Sequence, residues 1–314
     1  MPKRSSPGPR RLTVATLVIP VFFLLSLPMI AQEKPAAVVL DLDHVSVCGS
    51  DLDALRQAFA SVGLTPDFGG PHGNGITQMA LVGFDDESYI ELIGPVKPGV
   101  TEGSDWAKFM AADAGPCAWA VGTNVMVQEV DHLKKAGIAV GDLQRGSRKR
   151  PDGMSIEWTS TRVGPGTPGS LFPFIIEDQT PRAWRVQPSE SVKGSPLGGL
   201  DLVVIGVTNL DASIALFRKA YGWSDPLTEN QKDFGKLAYF PGAPVILAAP
   251  SGGWLAGRIS KFGEGPVAFL LATKDFAAAQ KKYKLSSSKP WFAQRIGWFE
   301  IDKLKGTRLG VIGQ

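Results

Sequence analysis

One order of elements recurs along this chain, and the recurrence limits what it can fold into. The run Leu42-Asp43-His44-Val45-Ser46-Val47 alternates as a strand does, which sets His44 on one side of it. Ser88-Tyr89-Ile90-Glu91-Leu92-Ile93 does the same with Glu91. Between them Asp51-Leu52-Asp53 opens a helix whose Leu52, Leu55, Phe59 and Val62 fall at helical spacing, with Asp51 placed to cap it and Gly63 to end it. Leu64 to Phe68 and Ile76 to Phe84 read as strands joined by the turn Gly69-Gly70-Pro71-His72-Gly73-Asn74-Gly75. The unit is βαβββ.

The same order returns from Gly115-Pro116-Cys117-Ala118-Trp119-Ala120-Val121, through a helix from Val125 to Ala136, to strands at Ile138 to Leu143, Ser155 to Thr161 and Leu171 to Glu177. Inside it the cationic run from Arg145 to Gly153 reads as a solvated loop, with anion capture as the sharper alternative. Residues 182–198, polar and proline-bearing, read as a linker. The pattern then restarts when Asn209-Leu210-Asp211 is laid on Asp51-Leu52-Asp53, and Gly265-Pro266-Val267-Ala268-Phe269 echoes Gly115 to Trp119, with Phe276 to Tyr283 in the helix position. Four units in two pairs predict an α+β protein with two bimodular domains in tandem, over residues 37–181 and 199–314. A chain of 314 residues, 44% hydrophobic, has the length for two such cores.

The formal charge of +3 comes from one end. Lys3, Arg4, Arg10 and Arg11 precede the apolar run Leu12 to Ala31, and without them the remaining 29 cations face 30 acids. No basic surface or motif points to nucleic acid. The basic start and apolar run over residues 1–31 read as an export signal, cleaved after Ala31 or kept as a membrane anchor. Arg10-Arg11 adds a weak twin-arginine option. That segment is the one expected membrane contact. The only cysteines, Cys48 and Cys117, are read as two small buried residues on separate strands, although export would permit a bridge.

Several motifs in this order carry a resemblance: Asp43-His44-Val45, the Gly-Gly-Pro-His turn, Tyr89-Ile90-Glu91-Leu92-Ile93, Arg150-Pro151-Asp152-Gly153 and Phe172-Pro173-Phe174-Ile175-Ile176-Glu177. With them, the part from about Ala37 to Pro181 resembles the glyoxalase-like branch of the vicinal oxygen chelate superfamily. The resemblance implies paired βαβββ modules forming open cup-shaped sheets, with a divalent metal (Zn, Mn, Fe or Ni) held by side chains of the first and last strand of each module. It carries the metal-ligand roles to His44, Glu91 and Glu177, and sets Trp119 where His, Gln or Glu is usual, so that water completes the set. Glu177 released from the metal, or His72 in the turn, would move a proton. Trp119, Tyr89 and Arg150 would meet the substrate, with Trp158 as a further aromatic wall, while His132, mid-helix on a solvent face, takes no role.

In the second pair Leu202 stands for His44, Ile246 or Leu247 for Glu91, and Phe269 for Trp119, so this half is expected to be structural, partner-binding or apolar-ligand-binding. The sequence thus points to an exported glyoxalase-like enzyme, a lyase, isomerase or oxygenase, acting in the first cup on a small molecule with adjacent oxygens. The alternative is a metal-free protein that binds or sequesters a small molecule.

Overall fold

The computed structural model describes residues 37–313 together with Met1 and Gly8, so the leader expected over 1–31 lies, apart from those two, outside the described residues. β1 (Asp41–Cys48) is buried on both faces beyond its first residue, as befits a central strand with one face on the helical core and the other inside the cup. α1 (Leu52–Ser61) starts where the Asp51 carboxylate accepts from Ala54 N at 3.0 Å, and it turns Leu52, Leu55 and Phe59 inward. β2 (Asp67–Pro71), β3 (Thr77–Gly83) and β4 (Tyr89–Pro95) complete the first module. After the short α2 (Ala107–Ala111), the second module follows as β5 (Gly115–Gly122), α3 (Met126–Lys135), β6 (Gln144–Lys149), β7 (Ser155–Thr161) and β8 (Phe174–Asp178).

These strands form one eight-stranded sheet in the order β2-β3-β4-β1-β5-β8-β7-β6. β1 runs parallel to β4 and antiparallel to β5, and β5 runs parallel to β8, so the modules meet along their first strands. α4 (Arg182–Arg185) then leads into the second set: β9 (Leu197–Gly206), α5 (Leu210–Tyr221), β10 (Leu227–Gln231), β11 (Gly235–Tyr239), β12 (Val245–Ala249), α6 (Gly253–Phe262), β13 (Gly265–Thr273), α7 (Phe276–Tyr283), β14 (Lys289–Trp291), β15 (Gln294–Trp298) and β16 (Leu309–Gly313). The second sheet has the corresponding order, β10-β11-β12-β9-β13-β16-β15-β14. The internal alignment holds at residue level. Asn209 caps α5 by accepting from Ala212 N at 3.0 Å, as Asp51 caps α1, and the pairing Val45↔Trp119 is repeated by Val203↔Phe269.

The two curled sheets belong to one compact unit, Ala36–Gln314, and share a core built from their helical faces. Phe172 stacks on Phe217 at 4.9 Å across it. His132 is half-buried there rather than on a solvent face, and its Nε2 lies 2.9 Å from Ala220 O. Arg258 of α6 donates to Ala114 O at 2.6 Å and to Pro116 O, fastening the second sheet to the start of β5.

The cups differ in what fills them. In the second, Leu202, Val204 and Ile246 on the inner face pack against Leu255 and Ile259 of α6 with Phe234, Trp291 and Ile296, so the expected apolar half is closed by its own side chains. The first cup keeps an open interior. Its outer strands are joined instead by a bridge, His72↔Arg148, and by Gly73 N donating to Ser147 O at 2.8 Å. The cationic run expected as a loop is thus mostly the edge strand β6.

One expectation is overturned here. Cys48 and Cys117 form a disulfide, with Cα atoms 5.9 Å apart. Alternation alone sets both on buried strands; the antiparallel β1–β5 register, shifted between Ser46 and Val47, makes them neighbours. The bridge clamps the two modules at the end of their shared seam. Cys48→Ala with Cys117→Ala, measured by urea unfolding, is expected to cost about 2–4 kcal/mol, the typical worth of a disulfide, with the parent falling to the same midpoint under reductant.

Candidate functional site

The first cup encloses a cavity of about 1030 Å³. Its floor comes from strand alternation. With Val45 and Val47 committed to the helical core, His44 and Ser46 face the cup from β1, and Tyr89 and Glu91 face it from β4. His72 arrives from the turn between β2 and β3, held by the bridge to Arg148. The opposite wall is apolar at Trp106, Phe174 and Ile176, and β6 and β7 extend it with Gln144, Trp158 and Ser160.

Glu91 sits at the centre. Oε2 accepts from Ser46 Oγ at 2.9 Å and lies 3.7 Å from His44 Nε2, while Oε1 lies 3.3 Å from His72 Nε2. Burial pushes its carboxyl up, but the hydrogen bond from His72, the charges of both imidazoles and the Ser46 hydroxyl outweigh it and hold the group at about 2. Glu91 is therefore ionised at neutral pH. His72 is fixed through its other nitrogen, Nδ1 lying 2.8 Å from Thr77 Oγ1.

His44 is oriented from behind. Its Nδ1 lies 2.5 Å from Asp43 Oδ1, and its ring stacks on Tyr89 at 4.7 Å and meets Phe174 edge-on at 5.3 Å. Asp43 is in turn held by Arg185, which donates to its two oxygens at 2.9 and 2.7 Å, and by Arg182. Burial drives the Asp43 carboxyl up, yet the Arg185 charge and hydrogen bonds, helped by His44, bring it well below the ordinary carboxylate range. Arg185 also donates to Tyr89 Oη at 2.8 Å and pairs with Asp178 at 2.5 Å. An ionised Asp43 accepts the Nδ1–H of His44, which turns Nε2 toward Glu91 and the cavity. Arg148 is likewise buried, donating to Gly69 O and Arg185 O at 2.7 and 2.6 Å.

The structure brings together His44, Glu91, His72, Tyr89 and Trp158 of the residues chosen from sequence, and sets Glu177, Trp119 and Arg150 elsewhere. Glu177 lies off the cavity lining, and its Oε1 accepts from Met126 N at 3.2 Å at the start of α3. The cup-facing residues of β8 are its neighbours Phe174 and Ile176, because a strand side chain one position along points to the other face. Trp119 is fully buried in the helical core and donates to Ser170 O at 3.1 Å. Arg150 lies outside the cavity, bonded to Trp184 O at 3.1 Å and paired with Asp152 at 2.8 Å. Sequence reasoning missed Arg185, which sits in the segment read as a linker; four-residue spacing of Arg182 from Asp178 was the one local signal.

The expected metal set does not fit these residues. His44 and Glu91 are present, but Glu177 faces the other side of the sheet, and the inward positions of the second module hold Ala118, Ala120, Phe174 and Ile176. Among the described residues no three His, Cys, Asp or Glu side chains stand so as to hold a metal ion. Both oxygens of Glu91 are already engaged, by Ser46 and by His72.

Paired βαβββ modules curled around an inward His and Glu define a protein of the vicinal oxygen chelate superfamily. More particularly, the chain belongs to the glyoxalase-like domain family, whose model matches residues 42–221. Comparison with curated protein sequences gives no match. Among solved structures, a hypothetical protein from Staphylococcus aureus aligns with a TM-score of 0.58 at 12% identity, covering 87% of this chain and 99% of that one. A mutant 4-hydroxymandelate synthase from Streptomyces coelicolor gives 0.56 at 11% identity, covering 87% and 92%. A xylose isomerase-like TIM barrel/4-hydroxyphenylpyruvate dioxygenase fusion protein gives 0.53 at 12% identity, covering 89% of this chain and 50% of that one. At these identities the likeness is one of fold.

Because Glu91 is held at about 2 when folded, against an ordinary 4.5, its contribution is complete above pH 4.5 and is lost as pH falls toward 2. That contribution is about 3 kcal/mol. Urea midpoints at pH 5 and pH 3 are expected to fall more steeply in the parent than in Glu91→Gln, which has no carboxylate to protonate; equal slopes would refute the depressed carboxyl.

Proposed function

We propose that the first cup is the working site of an exported glyoxalase-like enzyme that moves a proton on a carbon flanked by oxygens, with His44 and Glu91 as the proton-handling groups and no resident metal. The observation that carries this reading is the chain Arg185–Asp43–His44, which fixes one imidazole nitrogen as a donor and leaves the other toward an ionised carboxylate at the edge of a cavity. A 2-hydroxy or 2-oxo acid fits such a floor. His72 lies within reach of an oxygen that gains charge as the proton leaves, and the wall of Trp106, Phe174 and Ile176 suits an aromatic or apolar body. Isomerisation and elimination both begin with this step. Export is supported by the leader-like residues 1–31 and by the Cys48–Cys117 disulfide, a bond that persists in oxidising compartments.

A second reading, ligand binding without turnover, is favoured by the engagement of both Glu91 oxygens within the protein. Mandelate, a 2-hydroxy acid with an aromatic body, separates the two. Binding by calorimetry together with deuterium uptake at its Cα in D₂O, lowered at least about a hundredfold in His44→Gln as is usual for loss of an acid–base group, supports the enzyme. Binding with no exchange transfers the cup to the sequestering reading, and an affinity unchanged by Glu91→Gln removes mandelate from this site altogether.

A further inference from the structure

Across the cavity from Glu91, the inner face of β6 and β7 carries a row of polar groups that the fold leaves unused. Gln144 lies directly opposite Ser160, and Gly146 directly opposite Trp158, so these pairs share one face of the sheet. Gln144, Ser160 and Trp158 all line the cavity. Among the described residues, nothing bonds to the Gln144 amide, the Ser160 hydroxyl or the Trp158 indole N–H, whereas Trp106 and Trp119 both donate to backbone carbonyls. Gly146 makes room for the indole: a Cβ there would lie 2.2 Å from Trp158 Nε1. In the filled second cup the position of Ser160 is taken by Ile296, fully buried in the packing.

We infer that this row is a second anchoring subsite, one that takes a hydrogen-bond-accepting group at the far end of the ligand. The indole N–H can only donate, and the amide NH₂ and the hydroxyl can donate beside it, so the group that engages all three is a carboxylate or carbonyl oxygen. The cavity of about 1030 Å³ is at the upper end of the range that encloses drug-sized molecules, too large for a three-carbon dicarbonyl alone. Trp158 stands edge-on to His72, their ring centroids 6.4 Å apart, which brings the row beside the polar floor without touching Glu91. The ligand class is therefore an aromatic acid oxygenated at both ends: adjacent oxygens at His44, Glu91 and His72, a ring against Phe174, and a second acid or carbonyl at Trp158. This rests on the proposed role of the first cup and adds the far-end group to it.

Mandelate and 4-carboxymandelate share the head and the ring and differ only at the far end, so comparing them isolates the row. The parent is expected to bind 4-carboxymandelate about tenfold more tightly, the worth of one charge-assisted hydrogen bond. That preference should vanish in Trp158→Phe and shrink in Gln144→Ala, which is on an edge strand and leaves the core intact. The Trp158 indole N–H resonance, assigned by its loss in Trp158→Phe, should move on adding 4-carboxymandelate and hold still with mandelate. Equal affinities and a still resonance, with mandelate binding yet weakened by Glu91→Gln, would overturn the subsite alone. If neither compound binds, or Glu91→Gln changes neither affinity, the reading of the cup fails and the subsite fails with it.

Discussion

The site depends on a buried ion pair, Arg185 with Asp43. Both groups are almost wholly withdrawn from water, with side chains 3% and 1% exposed, so neither can be ionised at reasonable cost without the other. Asp43 as an anion is what fixes the His44 tautomer, and the His44 ring is what Tyr89 stacks on. Arg185 ties Tyr89 and Asp178 into the same knot, so β1, β4 and β8 are fastened to one guanidinium. Arginine suits this post because its planar fork can meet several acceptors at once and keeps its charge when buried. The guanidinium belongs to a four-residue helix between the two cups. The connection between the halves is thus a working part of the first one.

The internal repeat was legible because each module shows its strand alternation, its cap and its helical face in the sequence. Asp51 and Asn209, chosen to align the halves, are the N-caps of corresponding helices. His44 and Glu91 were legible for the same reason, since period-two alternation assigns a face. Glu177 was misread by one residue: β8 is short and half-buried at its end, and a one-residue shift moves every side chain to the opposite face. Trp119 was misread likewise, with Ala118 and Ala120 facing inward beside it. The disulfide was legible only as a permitted alternative and Arg185 was missed, because each depends on pairing across a long separation, 69 residues for the cysteines and 142 for Arg185 with Asp43.

The two cups show how one architecture can be turned to different ends by its inward residues. Leu202 and Ile246 occupy the places of His44 and Glu91, and α6, twice the length of α2, lays Leu255 and Ile259 over them. Hydrophobic burial then fills the inside of the second half, which braces the first through the shared helical core. The first half gives up that burial to keep a cavity, and its ion pair, disulfide and edge bridge hold the cup's shape. Its floor of His44, Glu91 and His72 comes from the first module and its apolar wall of Phe174 and Ile176 from the second, so a bound molecule meets two unlike walls.

The central proposal is that His44 and Glu91 work as proton-handling groups, with His72 meeting the ligand's oxygens, and not as ligands of a resident metal. Metal content by inductively coupled plasma mass spectrometry, on protein starting at Gln32 and purified without chelators, beside His44→Ala and Glu91→Ala, tests it most directly. The account predicts substoichiometric metal in all three, unchanged after incubation with Zn²⁺, Mn²⁺, Fe²⁺ or Ni²⁺ and desalting. One equivalent in the parent, lost in both variants, would contradict it and make the cup a metal centre.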